Sequence, residues 1–128
     1  MTLLAFEPET DIEHRIVEAR DKGLSGDALM RQIADADLYI PSTGEVQADG
    51  SGFKPILLEQ NELPFVAVFT AMSRQPKDMA PYMLRANGKQ FFLRMPPGYG
   101  IIFNPGYEAQ MLLPPHGAAA LKQDLRRP

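Results

Sequence analysis

The sequence contains no cysteine, so it has neither a disulfide framework nor a thiolate metal site. Its formal net charge of −3 argues against general nucleic-acid binding, which needs a concentrated basic surface. No apolar run approaches the length of a membrane-spanning helix, and the acidic N-terminus lacks the basic region of a secretory signal. We therefore expect a cytoplasmic protein with no indicated cofactor that binds neither nucleic acid nor membrane.

The common motifs of catalysis and metal binding are missing as well. The sequence has no GxSxG, HExxH or dinucleotide-binding fingerprint, and its scattered acids do not follow the spacing of a calcium loop. The two histidines are far apart in sequence. We expect His14 to lie on a solvated helix surface and His116 to cap a helix start or to be exposed there, and neither to bind a metal. No catalytic residue is indicated, which favours a protein that is not an enzyme.

Two apolar stretches dominate what the sequence does contain, at residues 63–73 (LPFVAVFTAMS) and 98–107 (GYGIIFNPGY). Runs of aromatic and β-branched residues are typical of strands that are covered on both faces of a sheet. The second run ends in the turn sequence Asn104-Pro105-Gly106, in which the glycine is expected to take a positive φ. We expect the two strands to lie side by side at the centre of one sheet.

The N-terminal region predicts a pair of helices joined at residues 23–24 and packed on this sheet. The first helix begins at Thr10 or Asp11, and the second follows over residues 25–35. Glu13 and the other charged residues of the first helix are expected to form its solvated face, together with the acids that precede it. A last helix is predicted over residues 116–126.

Shorter elements are predicted between these segments. Pro41 is expected to end an early strand, and the polar, glycine-rich residues 42–52 to form a mobile hairpin loop. After the Asn87-Gly88 pair, residues 89–94 are predicted as a short helix, with a hairpin strand as the alternative. The other predicted elements are strands at residues 38–40, 53–59 and 109–113, an extended segment at 82–86 and one helical turn within 74–80.

Together these elements predict a single α/β domain over residues 1–128, with an α+β arrangement as the alternative. We expect a central mixed sheet of about five strands, flanked by the N-terminal helix pair and the C-terminal helix. The length of 128 residues suits one domain, and a composition of 45% hydrophobic and 23% charged residues is that of a globular protein.

Polar and aromatic residues follow the two central strands and form a candidate binding site. If the strands run parallel, Thr70 and Asn104 lie at neighbouring carboxyl ends, where Arg74 and a tyrosine can join them. A guanidinium beside hydroxyl and amide groups suits a carboxylate or another small anion. The candidate ligand-binding residues are Thr70, Ser73, Arg74, Tyr99, Asn104 and Tyr107.

The series LYIP, PFVAVFTAMS and GYGIIFNPG follows an amphipathic helix and precedes a leucine-proline segment and a terminal helix. This series resembles the SseB family, specifically its N-terminal domain, from about Ile12 to Leu125. The resemblance implies an α/β fold and a bacterial cytosolic setting. It implies no reaction, because the family has no settled biochemical activity and no agreed catalytic residues.

The sequence thus favours a non-enzymatic interaction or regulatory module that binds a protein partner. This hypothesis depends on the missing catalytic constellation and on the many apolar and methionine residues, which suit adaptable contact surfaces. The alternative is a sensor that binds an amino acid or another small anion in a cleft at the ends of the central strands. The partner and the oligomeric state stay open.

Overall fold

A computed structural model describes residues 2–23 and 25–127. The helices are Asp11–Lys22 (α1), Gly26–Ala34 (α2), Gly88–Arg94 (α3) and Pro115–Arg126 (α4), with a short 3-10 helix at Met72–Arg74. The strands are Asp37–Ser42 (β1), Leu57–Gln60 (β2), Leu63–Val68 (β3), Tyr82–Asn87 (β4), Gly100–Phe103 (β5) and Met111–Leu113 (β6). They form one small domain of mixed α and β structure, in agreement with the predicted fold class.

The two central strands lie side by side, as the sequence predicted, and they pair in parallel. β3 and β5 align Val66 with Ile101 and Val68 with Phe103, while β2 and β6 add antiparallel strands in the order β2-β3-β5-β6. Every residue of β5 is buried. Helices cover one face of this sheet, whereas Phe65, Ala67 and Ile102 form a smaller apolar cluster apart from the main core. Burial on both faces explains why these strands are apolar throughout.

The strands are divided between two sheets, whereas a single sheet of about five strands was expected. Within the described residues, β1 and β4 form a separate antiparallel sheet. An isolated bridge connects it to the larger sheet: the Tyr39 N–H donates to the Phe69 carbonyl at 2.9 Å, and the Phe69 N–H donates to the Tyr39 carbonyl at 2.8 Å. The sequence did not indicate this division, because the assignment of strands to separate sheets has no local pattern.

Pro41 lies within β1 and does not end it, contrary to expectation. The backbone groups of Tyr39 point toward Phe69, away from β4. Successive residues of a strand alternate in direction, so the nitrogen of Pro41 also points away from β4. The missing N–H therefore removes no hydrogen bond from the β1–β4 ladder, and the strand continues to Ser42.

Side-chain caps fix the helix starts. Thr10 and Ser25 accept hydrogen bonds from the first turns of α1 and α2, and Asn87 accepts from the N–H groups of Lys89 and Gln90 at 3.1 and 3.4 Å. This last cap agrees with the helix rather than the hairpin strand predicted after Asn87-Gly88. The predicted junction of α1 and α2 includes Leu24, which lies outside the described residues.

Three other boundaries differ from the predictions. β2 begins at Leu57 rather than at residue 53, since Pro55 makes only an isolated bridge with Ser42. A helical turn was predicted within residues 74–80, but the 3-10 helix ends at Arg74. Gln75 comes before a proline and is held extended, so the helix does not continue past it. β6 begins at Met111, two residues later than expected. No helix in the described part of the chain is long and apolar enough to cross a membrane.

Candidate functional site

Thr70 and Asn104 lie just beyond the carboxyl ends of β3 and β5 and are bonded to each other. The Asn104 N–H donates to the Val68 carbonyl at 2.8 Å, so the pairing continues past the strands. Asn104 takes a φ of 53°, in the left-handed region that asparagine tolerates. Its Oδ1 accepts the Thr70 N–H at 3.1 Å, and its Nδ2 donates to Thr70 Oγ1 at 2.9 Å. The two buried side chains therefore lock the ends of the central strands together.

Arg74 reaches this pair from the 3-10 helix and forms a buried ion pair with Glu13 of α1. Its Nη2 donates to Glu13 Oε1 at 2.7 Å, and its Nε donates to Oε2 at 3.1 Å, a bidentate arrangement. Thr70 Oγ1 donates to the same carboxylate at 2.6 Å. The exposed fractions of the two side chains are only 6% for Arg74 and 0% for Glu13.

The surroundings of Glu13 keep its carboxylate ionised. Burial alone would raise the pKa of Glu13, but hydrogen bonds from Arg74, Thr70 and the Glu9 N–H, with the charge of Arg74, lower it below its ordinary value. The pKa of Arg74 is raised, chiefly by its hydrogen bonds to Glu13. An ionised carboxylate that already accepts four hydrogen bonds is a poor proton acceptor. This arrangement is therefore suited to holding elements together.

The N-terminal segment, residues 4–9, covers the ion pair. Leu4 donates its N–H to the Gly106 carbonyl at 2.8 Å and accepts the Glu108 N–H at 2.8 Å. Further along, the Glu7 carbonyl accepts a hydrogen bond from Arg74 Nη2. The segment is thus attached to the turn after β5 by its backbone and to the guanidinium by a carbonyl.

Two aromatic rings enclose the Arg74 guanidinium. Its Cζ lies 4.2 Å from the centre of the Phe6 ring and 5.2 Å from that of Tyr107. The Tyr107 hydroxyl also donates to the Arg74 carbonyl at 2.9 Å. Cation–π contacts, two carboxylate bonds and a carbonyl bond together leave Arg74 strongly engaged with the protein itself.

The structure brings together five of the six candidate site residues. Ser73 lies at the exposed edge of the cluster, where its hydroxyl donates to Glu9 Oε1 at 2.8 Å. Tyr99 is separate because it precedes β5, whereas Asn104 follows that strand. A strand advances about 3.3 Å per residue, so the two are on the order of 15 Å apart. Tyr99 therefore lies apart from the other five residues and lines a different groove.

The prediction that Glu13 lies on the solvated face of α1 was wrong, and Glu13 was therefore not among the candidate site residues. It is buried beside Ile12 and Ile16 on the inner face of the helix. One signal could have revealed it: a threonine followed three residues later by glutamate, as in Thr10 and Glu13, is the pattern of a capping box. The Glu13 carboxylate does turn back toward the helix start and accepts the Glu9 N–H at 2.9 Å.

The described residues contain no group of three or more histidine, cysteine, aspartate or glutamate side chains that could hold a metal ion. His14 and His116 are both exposed, as predicted. The strand-end cluster, which comprises Glu13, Thr70, Ser73, Arg74, Asn104 and Tyr107, therefore contains no such group.

A second feature is a groove of about 970 Å³ on a different part of the domain. Residues of β4 and α3 line it, together with residues between Gln47 and Leu57. Large apolar side chains, which also pack on the main core in most cases, contribute much of its surface: Phe53, Leu57, Val66, Leu84, Phe91 and Met95. A concave, partly apolar surface of this size is typical of a binding site.

The β4 strand borders this groove and has one unpaired edge within the described residues. Tyr39 directs its backbone groups away from β4, and Arg85 lies opposite Tyr39 in the antiparallel register. Such a pair is not hydrogen-bonded, so Arg85 directs its own N–H and C=O away from β1. Met83 lies two residues before Arg85 in the same strand, so its N–H and C=O also point away from β1. β4 therefore presents free backbone donors and acceptors beside an apolar groove.

Comparison with known proteins identifies one protein family that this sequence matches. A family profile described as SseB protein N-terminal domain matches residues 12–120, which is most of the chain. Neither the search of curated proteins nor the search of solved structures gave a match.

Proposed function

The chain belongs to the SseB family, through its N-terminal domain, and because that membership names no reaction we propose a function from the surface of the domain. The domain is an interaction module that binds an extended segment of a partner protein. The segment pairs with the free edge of β4 as an added strand, and its side chains enter the adjacent groove.

One observation supports this proposal above the others: the unpaired edge of β4 lies beside an apolar groove. Exposed strand edges are templates for further pairing, and proteins usually blunt or cover them. An extended peptide that adds to such an edge gains main-chain hydrogen bonds, while pockets for alternate side chains provide specificity. β4 is six residues long, which is sufficient for a short added strand.

The strand-end cluster supports the alternative, a sensor of small anions, less well. Arg74 is the cation that such a ligand would need, but it already binds the Glu13 carboxylate and the Glu7 carbonyl. A free carboxylate would have to displace a buried one that is covered by the N-terminal segment. A thermal shift with amino acids or small carboxylates would favour the sensor, because a ligand that binds only the folded state stabilises it.

A peptide-display selection tests the proposal. The domain is used to select ligands from a random peptide library, and the affinity of the selected peptides is measured by fluorescence polarisation. Met83→Pro removes an outward N–H while leaving the β1–β4 ladder intact, since proline is tolerated at such an edge position. Leu57→Asp places a charge in the groove at a side chain that is 48% exposed. We expect both changes to weaken binding at least about tenfold.

The matched control is Leu112→Asp, because Leu112 is 45% exposed on β6 and does not line the groove. This variant should bind like the unchanged domain, and all three variants should show the same folded circular-dichroism spectrum. If no peptide is selected, or if neither Met83→Pro nor Leu57→Asp weakens the binding of the selected peptides, the proposal is wrong. Dimerisation of the domain that Met83→Pro abolishes would also contradict it, because a second copy would then occupy the edge.

A further inference from the structure

We propose that the segment bound at β4 is acidic. This inference extends the proposed function and depends on it, because it assigns a chemical class to the partner of the same groove. The relevant observation is the sign of the charges around the groove, which differs from that of the whole chain.

The charged residues that line the groove are mainly cations, although the chain carries a net charge of −3. Lys54, which lies between β1 and β2, and Arg94, the last residue of α3, both line the groove. Both are exposed, and neither forms an ion pair within residues 2–23 and 25–127. Two exposed cations from different elements beside an apolar surface are suited to carboxylates of a bound strand.

Arg85 adds a third positive charge on β4 itself. Its guanidinium donates to Asp37 Oδ2 at 2.7 and 3.2 Å and lies 5.9 Å from the centre of the Tyr39 ring. It is therefore partly neutralised and held over the small sheet. We assign the principal contacts with the ligand to Lys54 and Arg94, and a weaker, longer-range contribution to Arg85.

Among the described residues, Asp49 is the one acid that lines the groove, and its own loop holds it. Its Oδ1 accepts the Ser51 N–H at 2.9 Å, and hydrogen bonds from Ser51 lower the pKa of Asp49, so it is ionised at neutral pH. It should therefore repel an acidic segment. Asp49→Asn keeps an oxygen for the Ser51 N–H while removing the charge, which makes it a variant that should bind more tightly.

The experiment compares peptides of one length that differ only in charge. Three alternating peptides of about eight residues, valine with threonine, glutamate or lysine, share the β-propensity that strand addition needs. Their affinities are measured by fluorescence polarisation at low and high salt. We expect the order glutamate, threonine, lysine, with the advantage of the glutamate peptide reduced in high salt because screening weakens exposed charge pairs.

Charge variants of the domain locate the effect. Lys54→Gln and Arg94→Gln should each lower the affinity for the glutamate peptide about two- to fivefold, while the affinity for the threonine peptide changes little. Asp49→Asn should raise the affinity for the glutamate peptide by a similar factor. Lys89→Gln is the matched control, since Lys89 is an exposed cation of the same helix α3 that does not line the groove.

The outcomes separate this inference from the proposed function. If the three peptides bind equally and Met83→Pro abolishes binding of all of them, the acidic preference is wrong and strand addition stands. Preferential binding of the lysine peptide, or equal effects of Lys54→Gln and Lys89→Gln, would also overturn the preference. If no peptide binds the folded domain, both proposals fail.

Discussion

Removal of the negative charge of Glu13 should destabilise the domain far more than any single exposed ion pair could. In Glu13→Gln the shape is retained, but the Arg74 guanidinium loses its buried counter-ion. The amide nitrogen of glutamine would also face donors where the carboxylate oxygens now accept four hydrogen bonds. Breaking a buried pair by removing one partner costs about 3–5 kcal/mol, and we expect a loss of free energy of unfolding in that range.

Urea denaturation at pH 7 measures this loss, with an unchanged slope showing that both proteins unfold from equally compact states. Glu18→Gln is the control, because Glu18 lies on the same helix and its side chain is 40% exposed. Among the described residues it forms ion pairs with Arg15 and Lys22, at 3.8 and 4.0 Å. Such surface pairs contribute about 0–1 kcal/mol. If Glu13→Gln costs no more than Glu18→Gln, the ion pair does not stabilise the fold and our account of the cluster is wrong.

The same variant gives a pH dependence of known sign. The pKa of Glu13 is below its ordinary value of 4.5 in the folded protein. Its contribution is therefore complete above the pKa of the unfolded chain and is lost as the pH falls through the lower, folded pKa. The stability difference between the unchanged protein and Glu13→Gln should accordingly be constant near neutral pH and shrink in acid. A difference that grows in acid would contradict the direction of the pKa shift.

Three other changes test the fold by chemical denaturation. Phe69→Ala should cost about 3–5 kcal/mol, because Phe69 is fully buried at the bridge between the sheets; a loss under about 1 kcal/mol would place it near the surface. Gly106→Val should lower the free energy of unfolding by more than about 1 kcal/mol, and Gly106→Asn by less. The reason is backbone strain, because φ at Gly106 is 88° while an added Cβ would meet no neighbouring atom. Equal losses for the two variants would refute this explanation. Asn87→Ala should cost about 1 kcal/mol through the lost cap of α3, and no loss would show that the cap is unimportant.

The sequence predicted the centre of the fold because local pattern and burial agree there. The apolar runs that became β3 and β5 are covered on both faces, and the turn with a positive φ at Gly106 follows from its Asn-Pro-Gly sequence. The pairing of Thr70 with Asn104 was also predictable, because parallel neighbours end at the same edge of a sheet.

The rest depended on long-range contacts that have no local signature. Glu13 and Arg74 are 61 residues apart, and nothing near Glu13 indicates that its partner comes from the 3-10 helix after β3. The charged residues around it suggested an exposed face, which the capping-box spacing alone could have corrected. The free edge of β4 was not indicated either, because the division into two sheets depends on pairing between strands that are distant in sequence.

Amide hydrogen exchange at β4 tests the central claim, strand addition to this edge, most directly. In the free domain the amides of Met83 and Arg85 should exchange quickly, whereas those of Leu84 and Ala86, which face β1, should be protected. A peptide obtained by display selection should slow exchange at Met83 and Arg85 by at least about tenfold. A bound peptide that leaves both of these amides unprotected would contradict the proposal.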